Sequence, residues 1–251
     1  MTVEPRQNPI RVSCFECPLR QLRSFRPFSE EEVEFVAQFK RGELLADANS
    51  TILVEGARSA HLYTVLSGWG FRYKILEDGR RQILNYVVPG DMVGLQGALM
   101  AEMQHSVEAM TPMTLCVFER SKLFSLFERH AGLGYDLTWL AAREEAILDE
   151  HLLSIGRRSA IERASYLLAF LFERGMNAGM LDDTRRHIPI TQMHLADTLG
   201  LSIVHTNKTL RKLVDRGLIL WRDRGCEVIN PEGLQDLAGW TPGEPRLRPF
   251  I

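Results

Sequence analysis

The chain has 251 residues, enough for two domains of ordinary size, each with its own core. Its 45% apolar and 25% charged residues are ordinary for a soluble globular protein, and no apolar run approaches the roughly 18 residues that span a bilayer. The formal net charge of −2 gives no global sign of nucleic acid. The polar, proline-bearing start from Met1 to Arg11 is no secretory signal, so a cytoplasmic protein without a membrane partner is expected.

The first 28 residues read as a loop-like segment with Pro5, Pro9, Pro18 and Pro27 and two of the four cysteines, Cys14 and Cys17. A reducing cytosol argues against a structural disulfide framework, so Cys-x-x-Cys points to metal, cluster or redox chemistry. Ser29 and Glu32 form a capping box that opens a helix with Val33, Phe35, Val36 and Phe39 on its buried side. From Gly42 to about Arg120 the texture is short β-type runs broken by glycine. They include Leu62–Leu66, Phe71–Ile75, the turn Glu77-Asp-Gly79, Gln82–Val88 and Met113–Phe118. Strands this short and this many predict a small barrel or roll over 29–132.

After Lys122 the pattern turns helical. Leu133, Leu137, Leu140, Glu144, Ile147, Leu148, Leu152 and Ile155 recur at near-3.5 spacing, without Pro or Gly between Tyr135 and Ile155. Two readings are open for 133–156: a coiled-coil dimerisation helix, or a helix packed on its own β-domain. The dimer is favoured because too little sequence surrounds the helix to cover both sides. Its seam would be Leu137, Leu140, Glu144, Leu148, Leu152 and Ile155. Gly156-Arg157-Arg158 marks a hinge, and Ala160–Arg174 a second helix with Ile161, Leu167, Leu168, Phe170 and Leu171 inward.

His187–Ile190 is an extended lead, and Thr191 caps a short helix with His194, Leu195 and Leu199 inside. Leu199-Gly200-Leu201-Ser202 is a tight turn, and Ser202 caps a helix over Ile203–Arg216 with a basic outer face. Leu218–Trp221 and Cys226–Ile229 then flank Arg222-Asp-Arg-Gly225, a hairpin wing. Between Arg185 and Arg224 stand eight Lys or Arg against three Asp, the footprint of a surface that faces phosphates. A winged helix-turn-helix over 157–240 is expected to meet duplex DNA through Thr191, Gln192, Ser202, Val204, His205, Asn207, Lys208, Arg211, Lys212, Arg222 and Arg224. Residues 241–251 are left as a C-terminal tail. A helical domain of purely architectural purpose, or one making protein contacts, is the alternative. An enzyme is not expected: there is no Gly-rich phosphate loop, metal-spaced His pair or nucleophile elbow.

Gly56, Leu62-Tyr63, Gly68, Gly90-Asp91-Met-Val-Gly94 and the run from Ile190-Thr191 through Leu201-Ser202 together resemble the CRP/FNR family of bacterial regulators, over nearly the whole chain. The resemblance implies an α+β protein: an N-terminal β-roll of the cyclic-nucleotide-binding type, a long dimerisation helix and a C-terminal winged helix-turn-helix. It also implies a homodimer on a palindromic operator that recruits or blocks RNA polymerase. Members that bind cyclic AMP place a glutamate just after the glycine matching Gly94 and an Arg-Ser pair on the next loop. Leu95 and His105-Ser106 stand there instead. Without that arginine a buried phosphate loses its bidentate partner, so cyclic AMP is not expected.

The oxygen-sensing FNR branch holds an iron–sulfur cluster on three N-terminal cysteines and one in the β-roll. Cys14 and Cys17 match two of these, and Cys116 in Thr114–Phe118 matches the β-roll cysteine. The third N-terminal ligand would fall near Arg23, which cannot bind iron. Three readings follow: a cluster on Cys14, Cys17 and Cys116 completed by an Asp, Glu or His, a thiol or disulfide switch using Cys14 and Cys17, or Cys116 as a buried apolar filler beside an idle Cys-x-x-Cys. Cys226 lies in the wing, too remote to join. Both branches read bases with a glutamate and an arginine, and Val204 and Lys208 take those places. Lys208 can still donate to guanine and Asn207 can pair with adenine.

Overall fold

The computed structural model describes residues 12–222, 225–243 and 246–251. Helix α1 (Glu30–Phe39) starts at the expected capping box: Ser29 Oγ accepts from the Glu32 amide, and Glu32 accepts from the Ser29 amide. Eight strands follow: β1 (Lys40–Ala46), β2 (Thr51–Leu53), β3 (His61–Ser67), β4 (Gly70–Ile75), β5 (Arg81–Val87), β6 (Met92–Val93), β7 (Ser106–Ala109) and β8 (Met113–Glu119). They form two four-stranded antiparallel sheets, ordered β1-β8-β3-β6 and β2-β7-β4-β5. Crossovers between sequence-distant strands close the sheets over a core of Leu53, Val65, Val87, Val107 and Leu115. A short α2 (Leu95–Met100) sits in this roll.

Next come α3 (Leu123–Arg129), α4 (Ala131–Arg157) and α5 (Ala160–Asn177). The first half of α4 covers its own β-roll. Leu137 is only 2% exposed, within a cluster that includes Val33, Phe118 and Leu126. Glu144 accepts from Arg72 and, at 2.6 Å, from Asn85. Both residues are therefore used inside the chain, which corrects the seam expected from the heptad count. At 3.6 residues per turn the stripe through Leu133, Leu137, Glu144 and His151 follows the roll. Leu140, Leu148 and Ile155 are half-buried, and Leu152 is 72% exposed. The outward face carries Tyr135, Ala142, Ala146, Leu152 and Leu153 instead.

After α5, β9 (His187–Ile188) leads to α6 (Gln192–Leu199), α7 (Ile203–Asp215), β10 (Ile219–Arg222), β11 (Gly225–Val228) and α8 (Pro231–Ala238). The strands pair β10-β11-β9, a wing anchored by the extended lead. Helix α8 was not foreseen, although Asn230 followed by Pro231 is a helix start: the Asn230 side chain accepts from the Gly233 amide at 2.8 Å. The DNA-binding-type domain is docked on the roll through β4 and β5. Arg81 pairs with Asp197 at 2.8 Å, the Tyr86 hydroxyl meets Thr198 at 2.7 Å, and Phe71 lies 5.1 Å from the His194 ring. One hydrophobic cluster accordingly runs from Phe71 and Tyr86 through Leu167 and Leu171 to Leu195 and Leu213. Among the described residues no helix is long and apolar enough to cross a membrane.

Candidate nucleic-acid interface and thiol cavity

Thr191 caps α6, its hydroxyl accepting from the His194 amide at 3.1 Å, with Gln192 half-buried beside it. The chain then reverses at Gly200, whose φ of +64° favours glycine. Ser202 caps α7, accepting from the His205 amide at 3.2 Å. Thr206, Thr209, Leu210 and Leu213 turn α7 inward, which leaves Val204, His205, Asn207, Lys208, Arg211 and Lys212 exposed on one outer face. Arg222 is exposed at the end of β10, while Arg224 lies outside the described residues. No described residue forms an ion pair with Lys208, Arg211, Lys212 or Arg222, whereas Arg185 and Arg186 are paired with Asp182 and Asp183. The usable positive charge is thus concentrated on α7 and the wing rather than spread over 185–224.

The sensor side is built from distant parts of the chain. Two 3₁₀ turns, Cys14–Glu16 and Pro18–Gln21, place Cys14 and Cys17 against α1 and β8. Cys116 sits on β8, cross-strand from Glu43 on β1 and from Thr64 on β3. All three cysteines line one cavity together with Arg20, Phe28 and Thr64, closed by Phe250 and Ile251 from the tail. A buried ion pair stands beside them: Lys40 Nζ donates to Glu43 at 2.6 Å and to the Val12 carbonyl at 2.7 Å. Burial pushes the Cys116 thiol up to about 11, against a smaller opposing pull from Lys40. Burial also raises the Cys14 and Cys17 thiols. Cys116 is buried and held protonated, while Cys14 and Cys17 are half-buried. Cys226 is buried in the wing, its thiol pushed up to about 12, and does not line this cavity.

An iron–sulfur cluster does not fit this arrangement. The described residues contain no group of three His, Cys, Asp or Glu at metal-binding spacing. The free space in the cavity that the thiols share is about 30 Å³, room for about two waters. Arg23 is exposed and contributes nothing to the cavity. His105 and Ser106, at the family's phosphate-binding position, are buried. Burial, with Arg72 and Lys74 nearby, holds His105 neutral at an ionisation near 3, so it offers no charge to a phosphate.

A buried junction joins the two regions. Asp91, in the β5–β6 turn, accepts from the Val88 amide at 2.8 Å, from Arg248 at 2.6 Å and from Arg174 on α5, with Arg143 of α4 at 4.0 Å. Burial alone would raise this carboxyl, but Arg174, Arg248 and Arg143 outweigh it and hold it at about 2. The preceding Gly90 has φ +86°, and a Cβ there would meet the Phe25 ring at 2.3 Å. The glycine lets the N-terminal segment lie against the turn that carries Asp91.

Residues 32–130 match the cyclic nucleotide-binding domain, and residues 163–237 match the Crp-like helix-turn-helix domain. The nitrogen fixation regulation protein FixK of Bradyrhizobium diazoefficiens is 31% identical over 91% of this chain and 91% of its own length. The FixK of Rhizobium meliloti is 34% identical over 74% of this chain and 82% of that protein. The fumarate and nitrate reduction regulatory protein of Escherichia coli is 21% identical, with 92% of each chain covered. Among solved structures, FixK2 from Bradyrhizobium japonicum superposes with a TM-score of 0.69 at 24% identity, covering 80% of this chain and 98% of that one. Fold, domain order and these relatives agree: the chain belongs to the CRP/FNR family of transcription regulators.

Proposed function

We propose that the chain works in the cytoplasm as a homodimer that reads a palindromic operator and acts on RNA polymerase, and that the redox state of Cys14, Cys17 and Cys116 sets its affinity. The free outer face of α7 carries the reading part of this proposal. Lys208 and Asn207 supply base-edge donors, and Arg211, Lys212, Arg222 and Arg224 supply phosphate contacts. Thr191, Gln192 and Ser202 position the two helices on the backbone, and Val204 and His205 line the groove side of α7. The dimer uses the outward face of α4, through Tyr135, Ala142, Leu152 and Leu153, because its other face is already spent on the roll.

Redox control rests on the convergence of three thiols from residues 14, 17 and 116 on one cavity. Joining two of them as a disulfide removes two electrons and two protons. A peroxide oxidant takes these up and leaves as two waters, and no metal is needed. The test is binding of palindromic duplexes by reduced and by peroxide-treated protein over a series of salt concentrations. Reduced protein should show a steep negative slope of log K against log salt. Oxidation should shift affinity in the native chain and leave a Cys14→Ser, Cys17→Ser double variant unchanged. Equal affinity of native protein in both states would remove the redox part. A flat salt slope would remove the reading part. L152E should sediment as a monomer and bind a palindrome no better than a half-site.

A further inference from the structure

The C-terminal segment does not trail away from the winged helix; it returns to the opposite end of the molecule. The Arg248 amide donates to the Ser24 carbonyl and the Arg26 amide to the Arg248 carbonyl, both at 2.9 Å. Phe250 stacks on Phe28 at 4.8 Å and meets Phe25 edge-on at 5.1 Å. Thr64, cross-strand from Cys116, donates its hydroxyl to the Ile251 carbonyl. Phe250 and Ile251 are both almost fully buried, and both form walls of the three-thiol cavity.

We propose that residues 246–251 are a plug for this cavity, so that chemistry at Cys116, the buried one of its three thiols, and docking of the tail exclude one another. Cys116 is buried and the free space admits about two waters but no added group on its sulfur, so a modified Cys116 must displace Phe250 or Ile251. Undocking also takes Arg248 from Asp91. That carboxylate holds Arg174, on the first helix of the DNA-binding domain, and faces Arg143 on α4. The buried Nε atoms of Arg174 and Arg248 have no hydrogen-bond partner among the described residues, and three cations share Asp91, with Glu144 a second acidic neighbour of Arg143 and Arg248. Removing one cation lets Arg174 and Arg143 share Asp91 differently. Plug, thiols and DNA-binding domain are thus linked at a single residue. This deepens the redox reading and rests on it only for the biological consequence.

The test uses iodoacetamide on the reduced full-length protein, with each cysteine followed by mass spectrometry. Phe250→Ala and Arg248→Ala should speed alkylation of Cys116 by about tenfold or more through local opening, with less change at the half-buried Cys14 and Cys17. Cys226, buried in the wing, should stay slow in both and so reports that the fold is intact. An unchanged rate at Cys116 with a slow Cys226 would overturn the proposal. If a variant makes Cys226 fast as well, it has unfolded, and hydrogen exchange on the native chain decides. Alkylation of the three thiols should then raise exchange at the Arg26 and Arg248 amides, and unaltered exchange overturns the plug. A plug that gates alkylation in protein whose DNA affinity ignores oxidation would sink the redox reading alone.

Discussion

The reading face and the thiol cavity place their chemistry in opposite ways. On α7 the polar side chains stand in solvent on one regular helix, and a buried stripe of Thr206, Thr209, Leu210 and Leu213 fixes which way they point. In the cavity, the polar atoms come from residues 14, 17, 20, 64 and 116, with the Lys40–Glu43 pair beside them, packed among aromatic rings and closed by residues 250 and 251. A surface of the first kind tolerates change one side chain at a time. A cavity of the second kind couples every member to the fold. Substitutions should therefore cost affinity without stability at α7, and stability or reactivity at the buried junction.

The largest expected effect is at the junction. Asp91→Asn leaves Arg143, Arg174 and Arg248 around a neutral group, and should cost on the order of 3–5 kcal/mol in urea unfolding. A loss under about 1 kcal/mol would mean the arginines are compensated elsewhere. Acid should come next. His151 is held neutral by burial, with Arg174 and Arg72 nearby, so its ionisation falls to about 4. It lies between Asn85, Tyr166 and Phe170, where α4 meets both domains. His194, against Phe71, is likewise lowered to about 4 by burial and by Arg81, despite Asp197. A folded-state value below the unfolded 6.5 gives stability that is full above pH 6.5 and lost as pH falls toward 4. The loss should be on the order of 2–3 kcal/mol for each histidine, readable as a falling urea midpoint. His151→Gln should flatten that slope.

At the reading face the readout changes from stability to affinity. Lys208→Ala should lower affinity for the preferred duplex by about tenfold or more and relax base choice, with the unfolding midpoint unmoved. The smallest effect belongs to the wing. Arg222→Ala should weaken all duplexes alike by under about 1 kcal/mol and reduce the salt slope by about 0.9. A loss of stability in either variant would show that α7 or the wing is not the independent surface described here.

This contrast also explains what could be read from the sequence. The capping boxes at Ser29 and Thr191, the turn at Gly200 and the wing hairpin are local: each is set by residues a few positions apart. They were legible for that reason, as was the order of the domains. Helix α4 was half legible. Its periodicity was plain, but a stripe of apolar residues does not say whether its partner is the same chain or another one, and Leu137 and Glu144 proved to face inward. The cavity was the least legible part. The match of Cys116 to Cys14 and Cys17 came from resemblance, while Lys40, Glu43 and the tail carried no signal of proximity. Their positions follow from strand register and from Arg248 reaching Asp91. In retrospect, Arg248, Phe250 and Ile251 offered one clue, a cation and two large apolar residues in a stretch assigned to no core.

The tail is a ligand that never leaves. It is joined to α8 by the short stretch from Gly239 to Arg246, and such tethers hold an attached segment at an effective concentration in the millimolar range. An intrinsic affinity as weak as about 1 mM, or roughly 4 kcal/mol, is then enough to keep the tail docked half of the time. A further tenfold in affinity, about 1.4 kcal/mol of contact energy, moves the closed fraction from one half to about nine-tenths. A tail held well past that midpoint stays shut until a side chain is lost or a group is added on Cys116, and it rebinds at once because no partner has to be found by diffusion.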